Sequence, residues 1–150
     1  MFIRNIQKDD LDIHYFKLLS ELSPSLDIDL TEWYKEKIQE NFDKLWSDFV
    51  DNKNHHIIVA FSVFSPYVAA TASLLIENKI NGKNAAHIED VVVSKVYRGL
   101  GLGGAMIKRL IDVARDKECY KIILNCSDKN VPFYDHLGFT KIDNGMKLVL

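Results

Sequence analysis

Residues 86–126, AHIEDVVVSKVYRGLGLGGAMIKRLIDVARDKECYKIILNC, decide the fold. Ala86 to Val93 is apolar and valine-rich, the composition of a strand, and Tyr120 to Cys126 is a second such run. Between them a long helix is predicted from near Gly101–Gly104 to about Glu118. Met106, Ile107, Leu110, Ile111 and Ala114 recur at helical spacing and form its buried side. Strand, helix and strand then make one parallel, right-handed crossover. The turn from Val93 to Gly104 holds Gly99, Gly101, Gly103 and Gly104, which let a ligand approach the backbone while the helix start presents unpaired N–H groups. The helix dipole and those amides favour an anion such as phosphate, and Arg98 adds a positive group at the mouth. A Walker motif is absent. Gly99, Gly101 and Gly104 spell the weak GxGxxG pattern, but the following strand ends in Asn125 and Cys126, not in the acid that binds a dinucleotide ribose.

Working outward, Phe2 to Ile6 reads as a short strand, followed by a helix to about Leu22 capped by Asp9 or Asp10, with Leu11, Tyr15, Leu18, Leu19 and Leu22 on one face. Ser23 and Pro24 interrupt it. Asp29 and Glu32 resemble a capping box for a second helix whose apolar stripe is Ile38, Phe42, Leu45, Trp46 and Phe49. Ile57–Phe64 and Val68–Ile76 read as antiparallel strands joined around Ser65-Pro66-Tyr67, and Asn78–Asn84 as a turn. A short helix at Asn130–Leu137 and a closing strand at Met146–Leu150 complete the order. The expected fold class is α/β (α+β by some schemes): a single domain with a mixed, mostly antiparallel β-sheet flanked by helices on both faces.

The chain of 150 residues suits one domain, residues 1–150, with 47% apolar residues to build a core. Nineteen Lys and Arg against 21 Asp and Glu give a net charge of -2, so no global basic field draws the chain to nucleic acid or anionic lipid. Cys119 and Cys126 lack CxxC or His-partnered spacing, which argues against a zinc site or disulfide scaffold, and no metal is expected. Both are read as reduced and structural, Cys126 as buried. No run approaches the roughly 20 apolar residues of a membrane span, and the first 15 residues, MFIRNIQKDDLDIHY, carry acids where a signal peptide needs an apolar run. An intracellular, cytoplasmic location is expected.

Arg98-x-x-Gly101-x-Gly103, its preceding strand, its helix and the later Phe133-Tyr134-x-x-x-Gly138-Phe139 resemble, in order, the cofactor-binding signature of the acetyl-CoA-dependent N-acetyltransferase (GNAT) superfamily. His87 to Val93, Tyr97-Arg98-Gly99, Cys119 to Leu124 and Asn130-Val131-x-Phe133-Tyr134 narrow the resemblance to the glucosamine-6-phosphate N-acetyltransferase family. It is dense over about the last 75 residues and implies a cofactor-binding core at about 85–140. It also implies a cytoplasmic homodimer, with active sites near the interface, that serves UDP-N-acetylglucosamine synthesis by direct acetyl transfer to a small amino-sugar phosphate. The cofactor-binding residues so implied are Val91, Val92, Val93, Arg98, Gly99, Leu100, Gly101, Leu102, Gly103, Gly104, Asn130, Phe133 and Tyr134. Val91 and Val93 would bond pantetheine through their backbone, and the turn amides would take the pyrophosphate.

The resemblance places Tyr134 beside the sulfur, as a phenol that protonates or hydrogen-bonds the departing thiolate. It places Glu89 and Asp90 near the substrate; as neighbours on a strand they should face opposite ways. Glu89 is the preferred contact for sugar hydroxyls or the incoming amine, directly or through water, Asp90 is read as binding substrate or ordering the dimeric site, and Cys126, without an activating histidine, is a poor nucleophile. Two positions depart from the family. Asn125 stands where an acid usually orients the amine, and a carboxamide cannot act as that base. Val149 stands where an arginine usually grips the sugar phosphate, leaving Lys147 or Lys79 to hold it. Tyr120 and Lys121 match a segment that reaches the substrate across the dimer. These departures keep a second reading open, an acetyltransferase for another small amine or a protein amine.

Overall fold

The computed structural model describes residues 1–22, 39–142 and 148. Their elements run β1 (Phe2–Asn5), α1 (Ile13–Leu19), α2 (Gln39–Asp51), β2 (His55–Phe61), β3 (Val68–Asn78), β4 (Asn84–Val93), α3 (Leu102–Asp116), β5 (Cys119–Leu124) and α4 (Val131–Asp135). The strands form one sheet in sequence order, antiparallel from β1 to β4 and parallel between β4 and β5. The parallel pair is the crossover expected around α3, since a parallel neighbour requires a connection that returns along the sheet.

Period-two alternation divides the strand side chains between two cores. Ile58, Ala60, Ala72, Leu74 and Ile88 pack with Met106, Ile107, Leu110 and Ala114 of α3 and with Tyr134 of α4. Val59, Phe61 and Val92 pack with Tyr15, Phe16 and Leu18 of α1, and half-buried Phe42, Trp46 and Phe49 of α2 close that layer. Helices therefore cover both faces. β2 and β3 are buried along most of their length, with Ile58, Val59, Ala60, Ala70, Ala72 and Leu74 at zero exposure, so the later strands are anchored to a rigid centre.

The first helix begins later than the sequence suggests. Asp12 is the cap, accepting from the Tyr15 amide at 2.9 Å, while Lys8–Asp10 forms a separate 3₁₀ turn. Asp10 is unavailable as a cap because both its oxygens are held by Arg4 at 2.6 Å and one also accepts from Gln7 N–H. Leu22 and Leu45, expected in apolar stripes, are exposed. Asn130–Leu137, expected as one helix, is a 3₁₀ turn at Asp128–Asn130 followed by the shorter α4. Ile38, the Asp29–Glu32 capping box, and Lys147, Val149 and the rest of the closing strand apart from Leu148 lie outside the described residues.

Candidate active site

Pairing between β4 and β5 runs from Asn84↔Cys119 to Ile88↔Leu124 and stops there. β4 continues to Val93, bonded only to β3. The two strands part at the point where the chain leaves β5 for α4, and a cleft of about 850 Å³ opens between them. Openings beyond the carboxyl ends of parallel strands are where α/β sheets hold ligands.

A bulge shapes the β4 wall. Thr71 pairs with Val92 but Ser73 pairs with Glu89, so Asp90 and Val91 share the place opposite Ala72, and Asp90 takes a left-handed φ of 51°. Plain alternation would put Glu89 and Asp90 on opposite faces. The extra residue interrupts it, and both residues are exposed and line the cleft, with the Asp90 charge also acting on Tyr15 and His55. Ser73 Oγ donates to the Glu89 carbonyl at 3.1 Å and fixes the strand at the bulge. Beyond it, Ser94 N–H donates to Ala69 O, so by period two the backbone groups of Val91 and Val93 face away from β3, into the cleft. Val93 O is already engaged, accepting from Arg98 Nε at 2.9 Å.

The glycine turn lines the same cleft through Arg98, Gly99 and Gly101–Gly104. Gly99 and Gly101 have φ of 78° and 77°, a conformation that favours glycine, and Gly101 caps α3. The first amides of α3 are left without helical partners. At Gly103 a Cβ would stand 3.4 Å from Phe133 Cζ and 3.6 Å from Val93 Cγ2, in van der Waals contact with both, so larger side chains would crowd this wall. Arg98 lines the cleft at this turn, and its guanidinium also donates to Glu21 Oε2 at 2.9 Å. Leu100 is 61% exposed and is absent from the cleft lining.

Asn125, Asn130, Phe133 and Tyr134 close the opposite wall. The Tyr134 ring is buried edge-on between Phe133 and Phe139, with centroids 4.9 and 5.9 Å away. Burial pushes its phenol pKa up, and nearby Cys126 adds to the rise, so the hydroxyl keeps its proton through the neutral range. Cys126, expected to be buried, is exposed in the cleft, because β5 has ended before it. Sequence reasoning also missed Glu21, Leu22, Ser127 and Lys129 as lining residues. Ser127 and Lys129 follow a strand that ends at the opening, a position that could have revealed them; nothing local marks Glu21.

Three expected substrate residues stand elsewhere. Lys79 pairs with Glu77, and Tyr120 is exposed beneath Lys83 and Lys121, whose ammonium groups lie 5.8 and 5.4 Å from its ring. Lys79 lies in the turn before β4, and Tyr120 and Lys121 at the start of β5, all at the end of the sheet opposite the cleft, and none lines it. No cluster with metal-ligand composition occurs among the described residues, and none of their helices is long and apolar enough to cross a membrane.

The profile of the acetyltransferase (GNAT) family matches residues 19–139. A protein of Oryza sativa subsp. japonica named glucosamine 6-phosphate N-acetyltransferase 1 is 35% identical over 141 residues, 93% of this chain and 81% of that protein. The glucosamine 6-phosphate N-acetyltransferase of Trypanosoma brucei brucei is 47% identical over 85 residues, covering 55% of this chain and 58% of that one. The crystal structure of glucosamine-6-phosphate N-acetyltransferase from Arabidopsis thaliana matches with a TM-score of 0.85 and 31% identity, over 99% of this chain and 97% of that chain.

Proposed function

The chain belongs to the acetyltransferase (GNAT) family and is an acetyl-CoA-dependent N-acetyltransferase; from that premise we propose that its acceptor is the 2-amino group of glucosamine 6-phosphate, giving N-acetylglucosamine 6-phosphate and CoA. The observation that carries this reading is the parting of β4 from β5, which leaves a strand edge, a glycine turn and a buried phenol on one cleft.

These residues fit acetyl-CoA. The outward backbone of Val91 and the Val93 N–H offer a strand edge to an amide-bearing arm, and the missing side chain of Gly103 leaves room beside Val93 and Phe133. The amides that open α3 receive the pyrophosphate, with Lys129 as a nearby cation that makes no ion pair among the described residues. Arg98 acts chiefly by bracing Val93 and Glu21. When bound, acetyl-CoA supplies an acetyl group activated as a thioester.

Tyr134 donates its retained proton to the sulfur as the thioester carbon–sulfur bond breaks. Glu89 accepts the proton released by the amine, directly or through one water, because its carboxylate is exposed on the opposite wall. Asn125 orients the amine by hydrogen bonding and takes no proton. Asp90 contacts the sugar hydroxyls from the bulge. Lys79, Tyr120 and Lys121 act in a homodimer, contributed by one copy to the cleft of the other, and the enzyme works in the cytoplasm.

The test is a steady-state assay with acetyl-CoA and, in parallel, glucosamine 6-phosphate, glucosamine and a peptide amine, repeated on dilution of the protein. Preference for the phosphorylated sugar, with activity per chain falling as dimers dissociate, supports the reading. Efficient peptide turnover with failure on both sugars would overturn it.

A further inference from the structure

At the other side of the sheet, where β1 ends at Asn5 and β2 runs past it, lies a second cavity of about 350 Å³ that shares no lining residue with the acyl-transfer cleft. Among the described residues its wall carries Lys53, Lys117, His55 and His56 and no Asp or Glu. Neither lysine forms an ion pair among those residues. His56 also lines the space, and its Nε2 is buried with no hydrogen-bond partner among the described residues. Asn52 also lines the space; its Oδ1 already accepts from Asn54 N–H at 3.1 Å, which leaves its NH₂ as a further donor.

We infer that this cavity is a binding site for a small organic oxyanion, a phosphate monoester or a carboxylate on a short carbon body. The cationic and amide donors select the charge. Phe49 and Val50 form an apolar wall, and the volume exceeds what a bare oxyanion fills, so a carbon body has a surface to pack on. Burial lowers the pKa of both histidines; Lys117 and then His55 lower that of His56 further, while Asp90 opposes the shift at His55. An anion beside them offsets the repulsion and accepts from the Lys53 and Lys117 ammonium groups and the Asn52 amide.

The experiment is NMR at fixed pH, following the histidine ring resonances during titration with glycerol 3-phosphate, succinate, inorganic phosphate and chloride in separate arms. Saturable shifts at His55 and His56, without shifts at His14, His87 or His136, are expected with glycerol 3-phosphate or succinate; the tighter of the two tells phosphate monoester from carboxylate. Lys53→Gln combined with Lys117→Gln, both on the surface, should weaken that binding about tenfold or more and leave acetyl-CoA affinity unchanged. The site is refuted by an equal response to all four anions, by no saturable shift at His55 and His56, or by undiminished binding in the double variant.

Discussion

The two halves of β4 belong to one continuous strand and do different work. From Asn84 to Ile88 the strand is bonded on both sides, and Ala85, Ala86 and Ile88 are buried. From Glu89 to Val93 it is bonded on one side only, is bulged at Asp90, and lines the cleft with every residue. The contrast teaches that the site is the core continued without its last neighbour. Where β5 is present the strand contributes to stability; where β5 has ended, the same edge is free for a ligand, as in peptide recognition by strand addition.

That contrast can be broken at either end. The largest effect is expected beneath the paired half, where Leu74, opposite Ile88 and fully buried, packs against α3. Leu74→Ala should cost about 3 kcal/mol in denaturant unfolding, through lost transfer energy and a residual cavity, while the folded fraction keeps its kcat. A loss of rate without a loss of stability would erase the division. Tyr134→Phe is expected to lower kcat about a hundredfold with little change in acetyl-CoA affinity. Because the phenol pKa is raised, the proton donor is present below the ordinary tyrosine value and lost only above it. The alkaline fall in kcat should therefore lie above about pH 10 and disappear in the variant. An unchanged rate removes Tyr134 from the chemistry. Gly103→Val, which drives methyl groups against Phe133 and Val93, should weaken acetyl-CoA binding about tenfold by calorimetry, with a small effect on stability. Unaltered affinity would show that the ligand does not lie along this wall.

Much of this was legible in the chain. The valines of 91–93, the glycines of 99–104 and the periodic face of α3 announce a strand, a glycine turn and a helix through local chemistry alone. What stayed hidden depends on partners distant in sequence. Asp10 looks like a cap but is claimed by Arg4, so Asp12 takes that place. Arg98 reads as a positive group at the mouth, but its ion pair with Glu21, 77 residues earlier, leaves no local trace. The bulge comes from the register of β4 on β3, and no residue type at Asp90 declares it. Cys126 looked like a core thiol because Tyr120–Cys126 reads as one strand, yet β5 stops at Leu124. Lys79, Tyr120 and Lys121 carry chemistry suited to a phosphorylated sugar, but the chain fold sends them to the end of the sheet opposite the cleft.

Amide hydrogen exchange with and without acetyl-CoA tests most directly whether the open half of β4 is a strand edge that the ligand completes. Slowed exchange on binding is predicted for the amides of Val91, Val93 and the start of α3, with those of Asn84–Ile88 already slow and unchanged. Protection confined to other segments, with Val91 and Val93 exchanging as before, would contradict the account.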